Sequence, residues 1–298
     1  MTHVEDELTS QPECWARAAA QAPRWARVLP APGERVAIVG CGTSYFMAQA
    51  AAALREGAGQ GETDAFAASE FPHGRRYDRV VALTRSGTTT EVLDLLRHLK
   101  GATPTTATPT TAITADPDTP VRTAADALAV LDFADERSVV QTRFATTALT
   151  LLRAHLGLHR DTAVTDARTA LAGPLPEGVV ECGQFTFLGR GWTVGLANEA
   201  GLKMREAALA WTEAYPAMEY RHGPISVSTT GTATWMLGDA PDGLAEQVRG
   251  TGALWIAGAL DPLAELVRVH RLAVAVAASR GLDPDTPRHL TRSVILEP

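Results

Sequence analysis

The sequence carries a dense run of hydroxyl side chains directly after a short apolar stretch. Five hydroxyl groups and one glycine fall within seven residues, at Thr84, Ser86, Gly87, Thr88, Thr89 and Thr90. Hydroxyls and backbone N–H groups at the start of a helix can hold an anion, because the helix dipole places about half a positive charge there. Gly87 would let the backbone approach such a ligand closely. A second hydroxyl pair, Thr43 and Ser44, follows another apolar stretch.

These hydroxyls could instead serve only as helix caps, which is their common role. Two such loops, one of them rich in hydroxyls, favour a binding site for a phosphorylated ligand. Neither loop is a Walker P-loop, because no Gly-Lys-Ser/Thr follows, and neither has the GxGxxG pattern of dinucleotide-binding folds.

A second candidate group lies in the other half of the chain. Glu199, Lys203 and Glu206 recur at a spacing of i, i+4 and i+7, which places them on one face of a helix. Such a face is usually solvated and carries a modest ion pair. A carboxylate can nevertheless both take up and return a proton, and a histidine such as His222 titrates near neutral pH. By itself, His222 would more often be a structural residue of the turn at Gly223-Pro224.

Strand–turn–helix units must position both groups. Apolar runs at 35–40 and 79–83 predict buried strands, each followed by a hydroxyl-bearing turn and a helix. In a parallel sheet both turns lie at the carboxyl ends of their strands, where ligands bind. The predicted fold class is α/β, with two tandem domains. Each is a parallel sheet flanked by helices, in a flavodoxin-like three-layer sandwich.

The same patterns predict the remaining elements. Helices are expected at 12–30, 45–57, 90–100, 141–156 and 194–210, and further strands at 111–114, 127–131, 185–188, 233–237, 253–257 and 273–277. A Thr/Pro-rich connection at 101–110 and a Gly/Pro-rich linker at 173–178 interrupt them.

These elements predict three segments. We predict an N-terminal helical segment at 1–34, a first domain at 35–172 that holds the phosphate loops, and a second domain at 179–298 that includes the C-terminal tail.

Composition narrows the class of protein. The chain has 298 residues, 45% of them hydrophobic, which is enough for two domain cores. A net charge of −7 without a basic stretch disfavours a nucleic-acid partner. No long uncharged apolar run predicts a membrane span, and the acidic N-terminus does not resemble a secretory signal. Three widely spaced cysteines fit a reducing compartment, so we expect a cytoplasmic protein. We expect no metal site and no cofactor.

Three segments resemble landmarks of the sugar isomerase (SIS) domain family: Gly40–Tyr45, Leu83–Thr89 and Glu136–Thr147. The pattern is similar to the isomerase portion of glucosamine-6-phosphate synthase and to its stand-alone deaminase, isomerase and deglycase relatives. The resemblance covers about residues 35–298 and implies two tandem SIS domains. It also implies that the sugar phosphate is held by Ser44, Thr84, Arg85 through its backbone, Ser86 and Thr89. Further substrate contacts would come from Thr43, Val139, Glu199 and Arg292.

The resemblance also implies catalytic roles in the second half. Glu206 matches the carboxylate that shuttles a proton between C1 and C2 of the sugar. His222 matches a histidine that assists ring opening, and Lys203 matches a lysine of the same site. That histidine is often donated by a neighbouring subunit, so the resemblance implies a homodimer with shared sites.

The sequence departs from the synthase pattern in several places. Met1-Thr2 offers no N-terminal cysteine nucleophile, so glutamine-dependent amination is not expected. Arg292 occupies the place of the lysine that forms a Schiff base, and arginine stays protonated and is a poor nucleophile. Arg292 would instead neutralise charge on the substrate, as would Arg288 unless it only holds the tail. Arg85 stands where the synthase has glutamine, and its side chain would add a charged contact.

The sequence therefore predicts an enzyme on an amino-sugar or ketosamine 6-phosphate. The reaction would be aldose–ketose isomerisation, with or without deamination. Two alternatives stay open: a plain phosphosugar isomerase without nitrogen chemistry, and a non-catalytic phosphosugar sensor. A sensor would keep the hydroxyl loop but would not need Glu206 and His222.

Overall fold

The computed structural model describes residues 2–101 and 107–296. The chain forms two compact units. The first unit comprises Glu13–His159 with Thr291–Pro298, and the second comprises Met1–Pro12 with Arg160–Leu290. Within the described residues each unit is built on one parallel β-sheet.

The first unit has a five-stranded sheet in the order β2-β1-β3-β4-β5. In chain order its elements are α2 (Gln11–Trp25, whose first two residues belong to the second unit), β1 (Val36–Gly40), α3 (Thr43–Gly57), β2 (Thr63–Ala67), β3 (Arg79–Leu83), α4 (Thr90–Lys100), β4 (Thr110–Thr114), α5 (Val121–Ala124), β5 (Ala127–Val130) and α6 (Arg143–His155). Every residue of β1 and β4 is buried, as expected of central parallel strands that helices cover on both faces.

The register of this sheet brings the two hydroxyl-bearing turns together. Strand β1 pairs with β3 so that Val36 lies beside Arg79 and Val39 lies beside Ala82. The carboxyl ends of β1 and β3 are therefore adjacent, and the turns that follow Gly40 and Leu83 open at the same sheet edge.

The second unit has a four-stranded sheet in the order β7-β6-β8-β9. Its elements are α1 (His3–Thr9), α7 (Thr162–Ala172), β6 (Gln184–Gly189), α8 (Thr193–Ala208), β7 (Trp211–Pro216), β8 (Thr232–Leu237), α9 (Leu244–Gly250), β9 (Leu254–Ala257) and α10 (Pro262–Ser279). Strand β6 pairs with β7 and β8 as β1 pairs with β2 and β3.

A glycine ends the leading strand of each unit, and both glycines serve the same close approach. A Cβ on Gly40 would lie 2.6 Å from the backbone C of Ser44, and a Cβ on Gly189 would lie 2.2 Å from the backbone O of Thr193. Only glycine lets the helix begin this close to the end of the strand.

The α/β class and the helix-flanked parallel sheets are confirmed, but some elements differ from the sequence-based expectation. The predicted strand at 273–277 is wrong, because these residues lie inside the 18-residue helix α10. Pro262 at its first turn and the Asp261 side chain, which accepts from Leu263 N, start that helix. The helix predicted at 12–30 runs over Gln11–Trp25.

Edge strands β2 and β7 have no sequence-based counterpart. Most of their residues are only partly buried, so no continuous apolar run marks them. The compact units also divide the chain at residue 160, before the 173–178 linker, and group Thr291–Pro298 with the first unit. Residues 102–106 of the Thr/Pro-rich connection lie outside the described residues. No helix of the described chain is long and apolar enough to cross a bilayer.

Candidate active site

The loop after β3 has a fixed backbone. Gly87 adopts a φ of +64°, and a Cβ there would lie 2.1 Å from Thr119 Oγ1, so the position requires glycine. Its N–H donates to Thr84 Oγ1 at 3.2 Å. Thr84, Arg85 and Ser86 are all buried.

The side chains of this loop converge on one point. Ser86 Oγ, Thr88 Oγ1 and Thr89 Oγ1 lie 3.2, 3.0 and 3.2 Å from Ser293 Oγ, which comes from the C-terminal tail. Thr88 Oγ1 also donates to Ser86 Oγ at 3.0 Å. We call these four residues the hydroxyl cluster. Ser293 was not among the residues expected from the sequence, because distance along the chain hides its neighbours.

The second hydroxyl pair lies at the start of α3. Thr43 and Ser44 are buried in the first turn of that helix, directly after Gly42. Since β1 and β3 are neighbours, these hydroxyls and the hydroxyl cluster belong to the same edge of the sheet. The geometry is suited to an anion that both loops contact.

The Arg85 side chain does not face the hydroxyl cluster. Its Nη1 donates to Ser138 O at 2.9 Å and its Nη2 to Arg292 O at 2.7 Å, while Glu136 Oε2 lies 3.8 Å from Nη1. The guanidinium therefore braces the segment around Val139, which is partly exposed, and the tail. The charged contact with a ligand that the sequence suggested stays a prediction.

Glu136 is a buried carboxylate whose role the sequence did not reveal. Its oxygens accept from the backbone N–H groups of Thr142 (2.6 Å), Arg143 (2.6 Å) and Phe144 (3.2 Å) at the start of α6. A carboxylate at this position is stabilised by the helix dipole and by charge-assisted hydrogen bonds. The acidic residue just before an apolar helix was the available signal.

Arg292 fastens the tail to the same segment. Its Nη2 donates to Asp135 Oδ1 at 2.5 Å, and its Nη1 donates to the backbone O of Glu136. The Arg292 guanidinium, at the position where the resemblance would place a lysine, thus donates to protein oxygens.

The candidate catalytic residues of the second unit form a buried triad on α8. Lys203 Nζ lies 3.5 Å from Glu199 Oε1 and donates to Glu206 Oε2. The side chains of Glu199 and Lys203 are each 1% exposed, and that of Glu206 is 19% exposed. The solvated helix face that spacing alone suggested is therefore wrong. Glu206 is the member of the triad that reaches outward, so it is the one that can exchange a proton with a ligand.

Glu206 lines a cavity of about 150 Å³ within the second unit, together with Asp283, Thr286 and Arg288. His222 lies elsewhere, exposed in a short 3-10 helix over Glu219–His222. Within the described chain it makes no hydrogen bond to Glu206. Its predicted catalytic role, with a neighbouring subunit as the donor, stays a prediction.

A further ionisable side chain adjoins the triad. His270 on α10 is fully buried, and its burial, with the Lys203 charge, lowers its pKa to about 3. Gln11 Nε2 lies 3.4 Å from its Nδ1. The imidazole is therefore neutral at physiological pH. No motif marked this histidine, which lies between Val269 and Arg271 in the sequence. Within residues 2–101 and 107–296, no three His, Cys, Asp or Glu side chains group so that they could hold a metal ion.

Residues 31–156 match the family model described as the SIS domain. Over these residues the chain is thus similar to the SIS domain family. Curated relatives include the glutamine–fructose-6-phosphate aminotransferase (isomerizing) of Xylella fastidiosa strain Temecula1, 27% identical over 320 residues that cover 88% of this chain and 52% of the relative. The enzyme of the same name from Symbiobacterium thermophilum is 34% identical over 170 residues, which cover 47% of this chain and 26% of that enzyme. The chain thus spans about half the length of the first of these relatives.

Solved structures share the fold of this chain over nearly its full length. Glucosamine-6-phosphate deaminase from Thermotoga maritima superposes with a TM-score of 0.83 at 24% identity, covering 99% of this chain and 100% of that one. Tagatose-6-phosphate ketose/aldose isomerase from Escherichia coli superposes with a TM-score of 0.81 at 18% identity, covering 100% of this chain and 97% of that one.

Proposed function

We propose that this chain is an enzyme that interconverts the aldose and ketose forms of an amino-sugar or ketosamine 6-phosphate, with loss of ammonia or an amine by hydrolysis with water where the substrate carries one. The observation that carries the proposal is the buried Glu199–Lys203–Glu206 triad. Burying the Glu199–Lys203 ion pair beside the partly exposed Glu206 is costly, and a protein that only senses a phosphosugar has no need of it.

Each half contributes a different part of the proposed reaction. The hydroxyls of Ser44, Thr84, Ser86 and Thr89 would hold the phosphate as hydrogen-bond donors. Glu206 would take a proton from one of the two carbons, C1 or C2, and return it to the other, so the enzyme ends each turnover unchanged. Lys203 fixes the carboxylate through its hydrogen bond. We further propose that His222 of a partner subunit assists ring opening, which makes the active form a homodimer.

Arg292 bears on the nitrogen chemistry. A guanidinium is a poor nucleophile, so an imine between this residue and a ketose is not part of the proposed reaction. Any nitrogen involved must therefore arrive on the substrate, which favours deamination over amination. The activities named for the relatives and neighbours, those of an aminotransferase, a deaminase and a ketose/aldose isomerase, are compatible with this chemistry.

We also propose that the second unit is a second SIS domain and that the protein is cytoplasmic. The family match covers residues of the first half. The repeated strand order and the two close-approach glycines, Gly40 and Gly189, support an internal duplication.

A substrate panel tests the proposed function. The protein is incubated in D₂O with glucosamine 6-phosphate or fructose 6-phosphate, and deuterium at C1 and C2 and released ammonia are measured. We expect deuterium incorporation, with ammonia released only from the amino sugar. Incorporation without ammonia from any amino sugar would favour the plain isomerase. Binding with neither result would favour the sensor.

Glu206→Gln tests the assigned base. Turnover should fall about a thousand-fold, the scale of a lost general base, while calorimetric affinity for the phosphosugar stays within about twofold, because binding depends mainly on the hydroxyls. The matched control is Glu246→Gln, which alters an exposed carboxylate of α9. Equal turnover in Glu206→Gln and the control would refute the assignment.

A further inference from the structure

The C-terminal tail occupies the groups that would hold a phosphate. Ser293 Oγ lies 3.0–3.2 Å from the hydroxyls of Ser86, Thr88 and Thr89. One oxygen that contacts three hydroxyl groups is the arrangement expected of a bound phosphate oxygen. Ser293 therefore fills the centre of the cluster.

The tail also takes the polar groups at the start of α4. The N–H of Thr90, the first residue of that helix, donates to Val294 O at 3.1 Å. Thr90 Oγ1 accepts from Leu296 N at 2.9 Å. The free N–H groups of a first helical turn are the groups that bind anions in strand–loop–helix sites. One of them is here used by a carbonyl of the tail.

The tail is firmly attached at one point and loosely beyond it. Arg292 is held by Asp135 Oδ1 and by the backbone O of Glu136, and its own carbonyl accepts from Arg85. Beyond these Arg292 contacts, Val294, Ile295 and Leu296 are 50%, 66% and 60% exposed. No apolar burial holds them, so the contacts of residues 293–296 are polar ones, which a ligand oxygen can replace at small net cost.

We propose that residues 293–296 are an internal competitor for the phosphate site, with Ser293 Oγ standing in the place of a phosphate oxygen. A phosphorylated ligand displaces these residues, while the hydrogen bonds of Arg292 keep the tail beside the loop. This inference rests on the proposed phosphate role of the hydroxyl cluster. It gives the arginine at position 292 a positioning function that needs no covalent chemistry.

Calorimetric titration with inorganic phosphate, using the full chain, tests the competition. Ser293→Ala should bind phosphate about fivefold more tightly than the wild type, since a typical hydrogen-bond network of this kind is worth about 1 kcal/mol net. Ser279→Ala, which removes a hydroxyl on α10, is the control and should leave the affinity unchanged. Unchanged or weaker binding in Ser293→Ala would overturn the inference, because Ser293 would then be neutral or a ligand.

Ser86→Ala separates the two hypotheses. If phosphate binds the wild type and Ser86→Ala weakens it, the site is as proposed, and the result for Ser293→Ala judges the competitor alone. If no variant binds phosphate and Ser86→Ala has no effect, the phosphate site itself is refuted.

Hydrogen exchange measured by mass spectrometry gives a second readout. Saturating phosphate should speed exchange in the C-terminal peptide, because Leu296 N–H loses its acceptor, while the peptide over Arg143–His155 is unaffected. Slower exchange of the C-terminal peptide on adding phosphate would show that the tail closes on the ligand, and it would contradict displacement.

Discussion

The two units place different chemistry on the same scaffold. In each, a central strand ends at a glycine, Gly40 or Gly189, and leads directly into a helix. The loop after the next central strand differs. In the first unit it is the hydroxyl-rich 84–89 loop, whereas in the second it is 238–243, which contains two aspartates and no hydroxyl. The proposed anion site therefore depends on the loops of one unit and is not a property of the fold itself.

The helices that follow the two glycines also differ, but here the second unit carries the charged side chains. At ten, fourteen and seventeen residues after Gly189, helix α8 carries Glu199, Lys203 and Glu206. At the same distances after Gly40, the chain has Ala50, Leu54 and Gly57. The first unit buries Arg85 and Glu136 as braces between segments, and the second buries Glu199 and Lys203 along α8. Two similar α/β frameworks therefore carry different polar features: the hydroxyl-rich loop lies in the first unit and the charged helix in the second.

Removing the central charge of α8 should produce the largest stability change of those considered. Lys203→Met preserves length and apolar volume but leaves Glu199 and Glu206 without the ammonium between them. We expect a loss of about 3 kcal/mol in the free energy of unfolding, as for other broken buried ion pairs. Urea denaturation followed by circular dichroism measures it.

The control for this prediction is a surface pair in the same unit. Arg249 lies 3.9 Å from Glu246, and both side chains are at least 60% exposed. Arg249→Met should cost less than about 0.5 kcal/mol. Similar losses in the two variants would mean that the α8 triad is no more important to stability than a surface pair.

A matched pair of glycine substitutions sharpens the loop comparison. Gly87 and Gly243 both have positive φ, +64° and +73°, just before α4 and α9. A Cβ on Gly87 would collide with Thr119 Oγ1 at 2.1 Å, but a Cβ on Gly243 would meet only Arg221 Nη2 at 3.7 Å. Gly243→Ala should cost about 1 kcal/mol from backbone strain alone, and Gly87→Ala roughly 2–3 kcal/mol from strain plus displacement of Thr119.

Thermal unfolding of both variants, with phosphate titration of Gly87→Ala, decides the point. We expect phosphate affinity to fall in Gly87→Ala because the loop must shift. Equal stability losses at the two positions would show that the 84–89 loop is no more tightly constrained than its counterpart.

Much of this framework could be predicted from the sequence, for a definite physical reason. Central strands such as β1 and β3 are buried on both faces, so they appear as apolar runs, and the turns after them stand out as polar. Edge strands β2 and β7 lack this contrast. The Ala273–Ala277 alternation looked like a strand because a short apolar run fits both periods, and only the Asp261-Pro262 helix start distinguishes them.

The candidate site could be predicted where its residues lie close together in the sequence. The 84–89 hydroxyls and the α8 triad are local patterns, and the structure brings the members of each together. The contacts of Ser293 with Ser86 and of Arg292 with Asp135 join residues more than 150 positions apart. No spacing rule connects them. Arg85 looked like a ligand contact for the same reason, since its partners at Ser138 and Arg292 are distant in sequence.

A further prediction concerns acid sensitivity, which hydroxyl groups cannot confer but a buried imidazole can. Burial and Lys203 hold the pKa of His270 at about 3 in the folded protein, whereas an unfolded histidine has a pKa of about 6.5. Below pH 6.5 the unfolded chain therefore binds a proton that the folded chain does not. This group's contribution to stability is complete above pH 6.5 and is lost as the pH falls, by up to about 1.4 kcal/mol per pH unit.

His270→Gln removes this titration while keeping a polar group beside Gln11. Between pH 7 and pH 5, the wild type should lose about 2 kcal/mol more unfolding free energy than the variant. His98→Gln, which alters an exposed imidazole of the first unit, should keep the wild-type pH dependence. If His98→Gln flattened the profile and His270→Gln did not, acid sensitivity would belong to the unit that carries the hydroxyl loop. The buried imidazole would then have to carry its proton in the folded state, which its position beside the Lys203 charge opposes.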